Sequence, residues 1–83
     1  MEIVTDVKAV RPYVLDLTFA DGTRRTLDVE QELYGEVFEP LLDPAFFAKV
    51  TVDRQLGTVV WPNGADFSPE FLYHHNAKRE VAR

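Results

Sequence analysis

The feature that most constrains this chain is a run of strict alternation ended by one turn. Tyr13, Leu15, Leu17 and Phe19 take every second position, with Asp16 and Thr18 between them. Successive side chains of an extended strand point to opposite faces, so the run predicts a half-buried strand. Asp21-Gly22 follows, and Leu27 and Val29 then alternate with Thr26 and Asp28. Two such runs around an Asp-Gly pair read as a β-hairpin. Its register can be argued. A loop of Asp21-Gly22 alone pairs Ala20 with Thr23 and sets Leu27 against Asp16. A loop of Ala20-Asp21-Gly22 pairs Phe19 with Thr23, Leu17 with Arg25, Leu15 with Leu27 and Tyr13 with Val29. The second register keeps the apolar face together, which a one-residue slip would break. It also places Gly22 at the left-handed position of a type I turn with a G1 bulge.

The rest of the chain can be read around this hairpin. A first strand is expected from about Ile3 to Val10, with a turn at Arg11-Pro12, although its alternation is weaker. Val50 and Val52, then Val59 and Trp61, predict a second hairpin closed by Arg54 to Gly57, pairing Val52 with Val59 and Val50 with Trp61. Pro62 ends its last strand. Asp43-Pro44 and Ser68-Pro69 each place an N-cap before a proline at the first helical position. Leu42 with Phe47, and Phe67 with Leu72, have the spacing of hydrophobic staples. Short helices are therefore expected from Pro44 to about Ala48 and from Pro69 to about His75. Leu33, Tyr34, Val37, Phe38 and Leu41 suggest a helical turn or two between the hairpins, with Gly35 and Pro40 preventing more. The expected fold is α+β: an antiparallel sheet built from two β-hairpins plus an N-terminal strand, with short helices packed on one face.

With 83 residues there is room for one domain. Residues 1–76 are expected to form it, and 77–83 a loose tail. No secretory leader or membrane-length apolar run is evident, which points to the cytoplasm. A domain this small has a modest core and no cysteine to staple it, so a homo-oligomer or a bound partner is a reasonable supplement.

Charge is unevenly placed. The net charge is −5, which argues against direct nucleic-acid binding, since such proteins normally carry a basic face. Between Thr26 and Ala48 the charged residues are all acidic: Asp28, Glu30, Glu32, Glu36, Glu39 and Asp43. Such a stretch is most often a solvated face. It can also steer a basic partner, with some of Tyr34, Phe38 and Phe47, which lie in or near the stretch, expected to stay exposed as anchors. Glu30, Glu32, Tyr34, Glu36, Glu39 and Asp43 are thus a candidate interaction surface.

The segment Trp61-Pro62-Asn63-Gly64-Ala65-Asp66 is the most distinctive local string. It could form a ligand loop with Trp61 as anchor and Asn63 and Asp66 as polar contacts. It reads more readily as a strand-to-helix turn over a core tryptophan, because every residue in it has a local structural job. His74-His75 lacks ligand spacing, because adjacent helical positions diverge by ~100°. Ser68, His75 and Asp66 can be written as a hydrolytic trio, but Ser68 is better explained as a cap and no nucleophile-elbow context surrounds it. No Gly-rich phosphate loop is present. Catalytic, cofactor-binding and metal-ligating residues are therefore expected to be absent.

Several ordered motifs point to a family. They are Leu17-Thr18-Phe19-Ala20-Asp21-Gly22, then Val37-Phe38-Glu39-Pro40-Leu41-Leu42-Asp43, then Gly57-Thr58-Val59-Val60-Trp61-Pro62-Asn63-Gly64-Ala65-Asp66, then Ser68-Pro69-Glu70-Phe71-Leu72-Tyr73. Together they resemble the bacterial domain of unknown function 2442 family over nearly the whole chain. The resemblance implies a small cytoplasmic α+β domain. Some relatives append a helix-turn-helix DNA-binding domain, which on this reading the chain lacks. Family members are often encoded beside a second small domain, an arrangement similar to toxin–antitoxin pairs. The resemblance supplies no catalytic residues. The function expected is a small non-catalytic protein-interaction module, antitoxin-like or regulatory, whose partner is a protein such as the product of a neighbouring gene. The alternative is a small-ligand sensor using the Trp61 to Asp66 loop.

Overall fold

A computed structural model describes residues 2–75. The chain runs β1 (Val4–Arg11), β2 (Val14–Phe19), β3 (Arg24–Asp28), α1 (Pro44–Phe47), β4 (Thr51–Asp53), β5 (Thr58–Val60) and α2 (Pro69–His74). The architecture is α+β with antiparallel pairing throughout. The expected tail, 77–83, lies outside the described residues.

The first hairpin has the register that its alternation dictates. Leu15 pairs with Leu27 and Leu17 with Arg25, while Asp16 faces Thr26. Phe19 N–H donates to Thr23 O at 2.8 Å and Gly22 N–H to Phe19 O at 2.9 Å, closing the loop. Gly22 sits at φ +89°, a region that a Cβ makes costly. Asp21 Oδ1 accepts the Thr23 N–H at 2.9 Å and holds the turn from the side.

β1 pairs with β2 through Val7–Leu17, Lys8–Asp16 and Ala9–Leu15, with register shifts between Val4 and Asp6 and between Ala9 and Arg11. Each shift inserts a residue and breaks the period of two. Val4, Val7 and Ala9 consequently face the core at uneven spacing, which accounts for the weak alternation of this strand.

The second hairpin pairs Val52 with Val59 and Asp53 with Thr58. Asp53 Oδ1 accepts from the Gln55 and Leu56 amides at 2.9 and 3.0 Å, and Gly57 N–H returns to Asp53 O at 2.8 Å. This hairpin forms its own two-stranded sheet beside the three-stranded one. The two sheets are tied where Val4 N–H donates to Gly57 O at 2.9 Å.

Both helices start as the caps require. Asp43 Oδ1 accepts from Ala45 N–H at 3.0 Å, and Ser68 Oγ from Phe71 N–H at 3.0 Å. Phe67 and Leu72 are both buried, as a staple demands, whereas Leu42 is 40% exposed while Phe47 is buried. Between the hairpins, two 3₁₀ turns, Glu30–Glu32 and Glu39–Leu42, replace the expected helical turns. Gly35 at φ +87° reverses the chain between them, and its carbonyl accepts from Phe38 and Glu39 N–H. Leu33 and Leu41 enter the core, but Tyr34 and Val37 do not.

The core lies between the inner sheet face (Leu15, Leu17, Phe19, Leu27) and Phe47, Trp61, Phe67 and Leu72. Aromatic rings carry much of it: Trp61 lies 5.8 Å from Phe47 and 5.9 Å from Phe67, and Phe67 stacks on Phe38 at 5.0 Å.

Arg25 supplies an anchor that joins the sheet to α2. Opposite Leu17 on the inner face, it donates through Nη1 to Leu72 O and Tyr73 O at 2.8 and 2.9 Å, and through Nη2 to His75 O at 2.7 Å. A helix C-terminus leaves its last carbonyls without amide partners and bears partial negative charge, so a guanidinium satisfies both.

Candidate functional site

The acidic segment joins the two hairpins and lies on the surface. Glu30, Tyr34, Glu36, Glu39 and Asp43 are exposed, and Glu32 is half-buried. The 3₁₀ turns produce this display. Each is too short to bury a face, so it sends one residue, Leu33 or Leu41, into the core and turns its neighbours outward. Tyr34 is 71% exposed, Val37 50% and Leu42 40%. Large apolar side chains and carboxylates therefore alternate along one stretch of surface. Asp43 and Glu32 also have structural roles. Asp43 caps α1, and Glu32 lies 3.9 Å from the His75 imidazole.

The Trp61 to Asp66 loop is built differently. Trp61 is buried, and its indole N–H donates to Phe47 O at 2.9 Å. Asn63 is exposed, but its amide donates to Val37 O at 2.9 Å and its Oδ1 accepts from Ala65 N–H at 3.1 Å. Gly64 N–H returns to Trp61 O at 3.0 Å and Trp61 N–H donates to Ala65 O at 2.9 Å. Asp66 is exposed, and its backbone bridges to Val60. Of the polar groups proposed as ligand contacts, the Asn63 side chain holds the loop closed and pins it to the acidic segment at Val37, while Asp66 contributes through its backbone.

The remaining sequence candidates are dispersed. Ser68 caps the start of α2, and His75 follows its end. Their seven-residue separation is about 10 Å along a helix axis, beyond hydrogen-bond reach. His74 Nε2 meets Glu2 Oε2 at 2.9 Å, while His75 stacks on Phe71 at 4.4 Å. The two imidazoles therefore serve different neighbours.

Sequence reasoning missed a polar cluster at the hairpin turn. The Tyr73 hydroxyl donates to Asp21 Oδ2 at 2.6 Å and lies 3.2 Å from Thr23 Oγ1. The hydrogen bond from Tyr73, reinforced by the Thr23 amide, holds the Asp21 carboxyl below its ordinary range. Likewise the His74 hydrogen bond lowers the Glu2 carboxyl. A cavity of about 200 Å³ lies beside this cluster, lined by Glu2, Ile3, Phe19, Asp21 and Tyr73. A neighbouring one of about 300 Å³ lies among Ile3, Arg54, Leu56, Gly57 and Pro69. These residues are far apart in sequence, and no local motif announces their meeting.

No helix among the described residues is long and apolar enough to cross a membrane. Comparison with known proteins gives two findings. Residues 4–78 match the family described as "Protein of unknown function (DUF2442)". The chain is also similar to a crystal structure of a "Putative DNA Binding Protein" from Nitrosomonas europaea, at 33% identity and TM-score 0.68. That similarity covers 75% of this chain and 41% of the other, so this chain spans less than half of that protein's length. No curated protein matches.

The second finding corrects the expectation on nucleic acid. Net charge weighed against direct binding, but a relative that carries a DNA-binding name removes that exclusion. The physical reason is that net charge averages the whole surface, whereas phosphate contacts are local. Lys8, Arg11, Arg24, Lys49 and Arg54 are all exposed on this acidic chain.

Proposed function

This chain belongs to the family described as Protein of unknown function (DUF2442), and we propose that within it the chain acts as a cytoplasmic, non-catalytic protein-interaction module, antitoxin-like or regulatory. Its contact surface is the segment from Glu30 to Asp43. The observation that carries this reading is the exposure of Tyr34, at 71%, among Glu30, Glu36 and Glu39. An amphipathic aromatic ringed by like charges suits a basic partner: the charges speed and orient encounter, and the ring supplies the buried contact. Val37 and Leu42 widen the apolar area. Rigidity supports the reading too, because Asn63 Nδ2 and the Tyr13 hydroxyl donate to Val37 O and Leu42 O and fix this segment to the fold. A pre-ordered surface loses less entropy on binding.

The test is co-purification with the product of the neighbouring gene. Wild-type chain should retain it, and Tyr34→Ala should weaken binding about tenfold or more. Equal retention by both would remove the segment from the interface.

A second reading is favoured by the named neighbour: the chain takes part in DNA binding, as the Nitrosomonas europaea protein is named to do. Fluorescence anisotropy with labelled duplex tests it. Binding that weakens steeply as salt rises supports it, because phosphate contacts release counterions. Flat anisotropy at low salt rejects it for this chain.

A further inference from the structure

Ile3 is 41% exposed and Leu56 57%, and both line the cavity of about 300 Å³ between the N-terminal segment, the β4–β5 turn and the start of α2. The backbone holds each side chain in place although water reaches it. Leu56 N–H donates to Asp53 Oδ1 at 3.0 Å, and Gly57 N–H to Asp53 O at 2.8 Å. The Ile3 carbonyl accepts from Ala20 N–H at 2.8 Å, and the next residue, Val4, donates to Gly57 O at 2.9 Å. A Cβ at Gly57 would stand 3.4 Å from Ile3 Cγ2, so the isoleucine lies directly against the turn. Pro69 adds a third apolar wall. An ordered concave surface with apolar walls and a few polar groups is what a preformed small-molecule site presents.

The polar lining is of both signs. Arg54 comes from the β4–β5 turn, Glu70 from the first turn of α2 and Glu2 from the N-terminal segment. The Glu2 carboxylate is engaged, because its Oε2 lies 2.9 Å from His74 Nε2. Arg54 and Glu70 are exposed, and among the described residues no ion pair engages either one. The cavity therefore offers one available guanidinium and one available carboxylate beside aliphatic walls. A ligand with a single charge leaves one of these two groups unanswered, whereas a ligand with both charges answers both. The volume stands at the low end of the range for small-molecule sites, about 300–1,000 Å³, so the occupant is small.

From the fixed apolar walls, the two opposite charges and the size, we infer that this cavity binds a free aliphatic α-amino acid as its zwitterion. The Arg54 guanidinium takes the ligand carboxylate, for which its planar fork is suited. The Glu70 carboxylate takes the ligand ammonium. Ile3, Leu56 and Pro69 receive the hydrocarbon side chain, whose removal from water favours binding. None of these residues belongs to the Glu30 to Asp43 segment. Exposed ion pairs contribute little and the ligand is small, so the dissociation constant is expected at about 0.1–5 mM.

L-leucine is the probe, titrated into isotopically labelled chain to about 50 mM, about tenfold above that range. Saturable amide shifts should fall on Ile3, Leu56, Gly57 and Glu70. Leucinamide lacks the carboxylate, 4-methylpentanoate lacks the ammonium and glycine lacks the hydrocarbon, so each should bind about fivefold or more weakly. Arg54→Gln should weaken leucine about fivefold or more and leave leucinamide unchanged. Glu70→Gln should weaken leucine likewise and leave 4-methylpentanoate unchanged. Leu56→Ser should weaken leucine and leave glycine unchanged. All three positions are exposed, and the amide spectrum of each variant reports that it is folded. Shifts that do not saturate, shifts centred away from Ile3 and Leu56, an analogue that binds as tightly as leucine, or an Arg54→Gln chain that binds leucine like wild type overturns the inference.

Discussion

Replacing Arg25 with Met tests the anchor between sheet and helix. The substitution keeps most of the aliphatic stem and removes the guanidinium. Three carbonyls, those of Leu72, Tyr73 and His75, lose donors at 2.7–2.9 Å. A hydrogen bond to a charged group contributes about 1.5–3 kcal/mol net. The three are not additive, because they share one cation and a helix end can recruit water. A total of about 2–3 kcal/mol is a reasonable expectation, including the lost interaction with the helix dipole. A chain of 83 residues has a total stability of about 4–12 kcal/mol. The substitution therefore removes a large fraction, and Tm should fall by about 10–20 °C. Urea unfolding followed by Trp61 fluorescence and far-ultraviolet circular dichroism measures it. Arg25→Lys should recover only part of the loss, because one ammonium cannot span three carbonyls as a planar fork does. A Tm within about 3 °C of wild type for Arg25→Met, on the scaling used above, would show that α2 is held by its apolar face alone and refute the reasoning.

Three other perturbations follow from the same structure. Trp61→Phe removes the indole donor from Phe47 O, which keeps only the longer Val50 N–H bond at 3.4 Å, and should cost about 1–3 kcal/mol in urea unfolding. Gly22→Ala meets no atom within 4 Å but must hold φ +89°, so the cost should be purely conformational, about 1–2 kcal/mol, with Gly22→Asn costing less. The folded-state Asp21 carboxyl is held low by Tyr73 and Thr23, so its stabilisation is present above the ordinary aspartate range and lost as pH falls through and below it. Wild type should accordingly lose more stability than Tyr73→Phe between about pH 5 and pH 3; equal losses would show that the hydrogen bond does not tune the carboxyl.

How far the fold was legible depended on whether its signal was local. The two hairpins could be read with their registers because side-chain period and turn chemistry specify the same pairing, Leu15 with Leu27 and Val52 with Val59. The helix starts at Asp43 and Ser68 could be read for the same reason. β1 was legible only in outline, because its two register shifts scramble the period. The stretch from Leu33 to Leu41 has helical spacing, yet the positive φ of Gly35 and the proline at position 40 divide it into turns. That outcome turned Tyr34 and Val37 outward, so the composition of the acidic surface was readable while its apolar anchors were only half so. The Arg25 anchor and the Asp21–Tyr73 pair join residues about fifty positions apart, and no pattern along the chain encodes such a meeting. The separation into two sheets is of the same kind. It is decided where Val4 meets Gly57, a contact between segments that look independent in the sequence.

We propose that a protein partner docks on the segment from Glu30 to Asp43. The most direct measurement is amide chemical-shift mapping of isotopically labelled chain titrated with the co-purified partner. The largest changes should fall on Glu30 to Asp43, centred on Tyr34, and should diminish as salt rises. Changes centred instead on the Trp61 to Asp66 loop, or left untouched by salt, would contradict it.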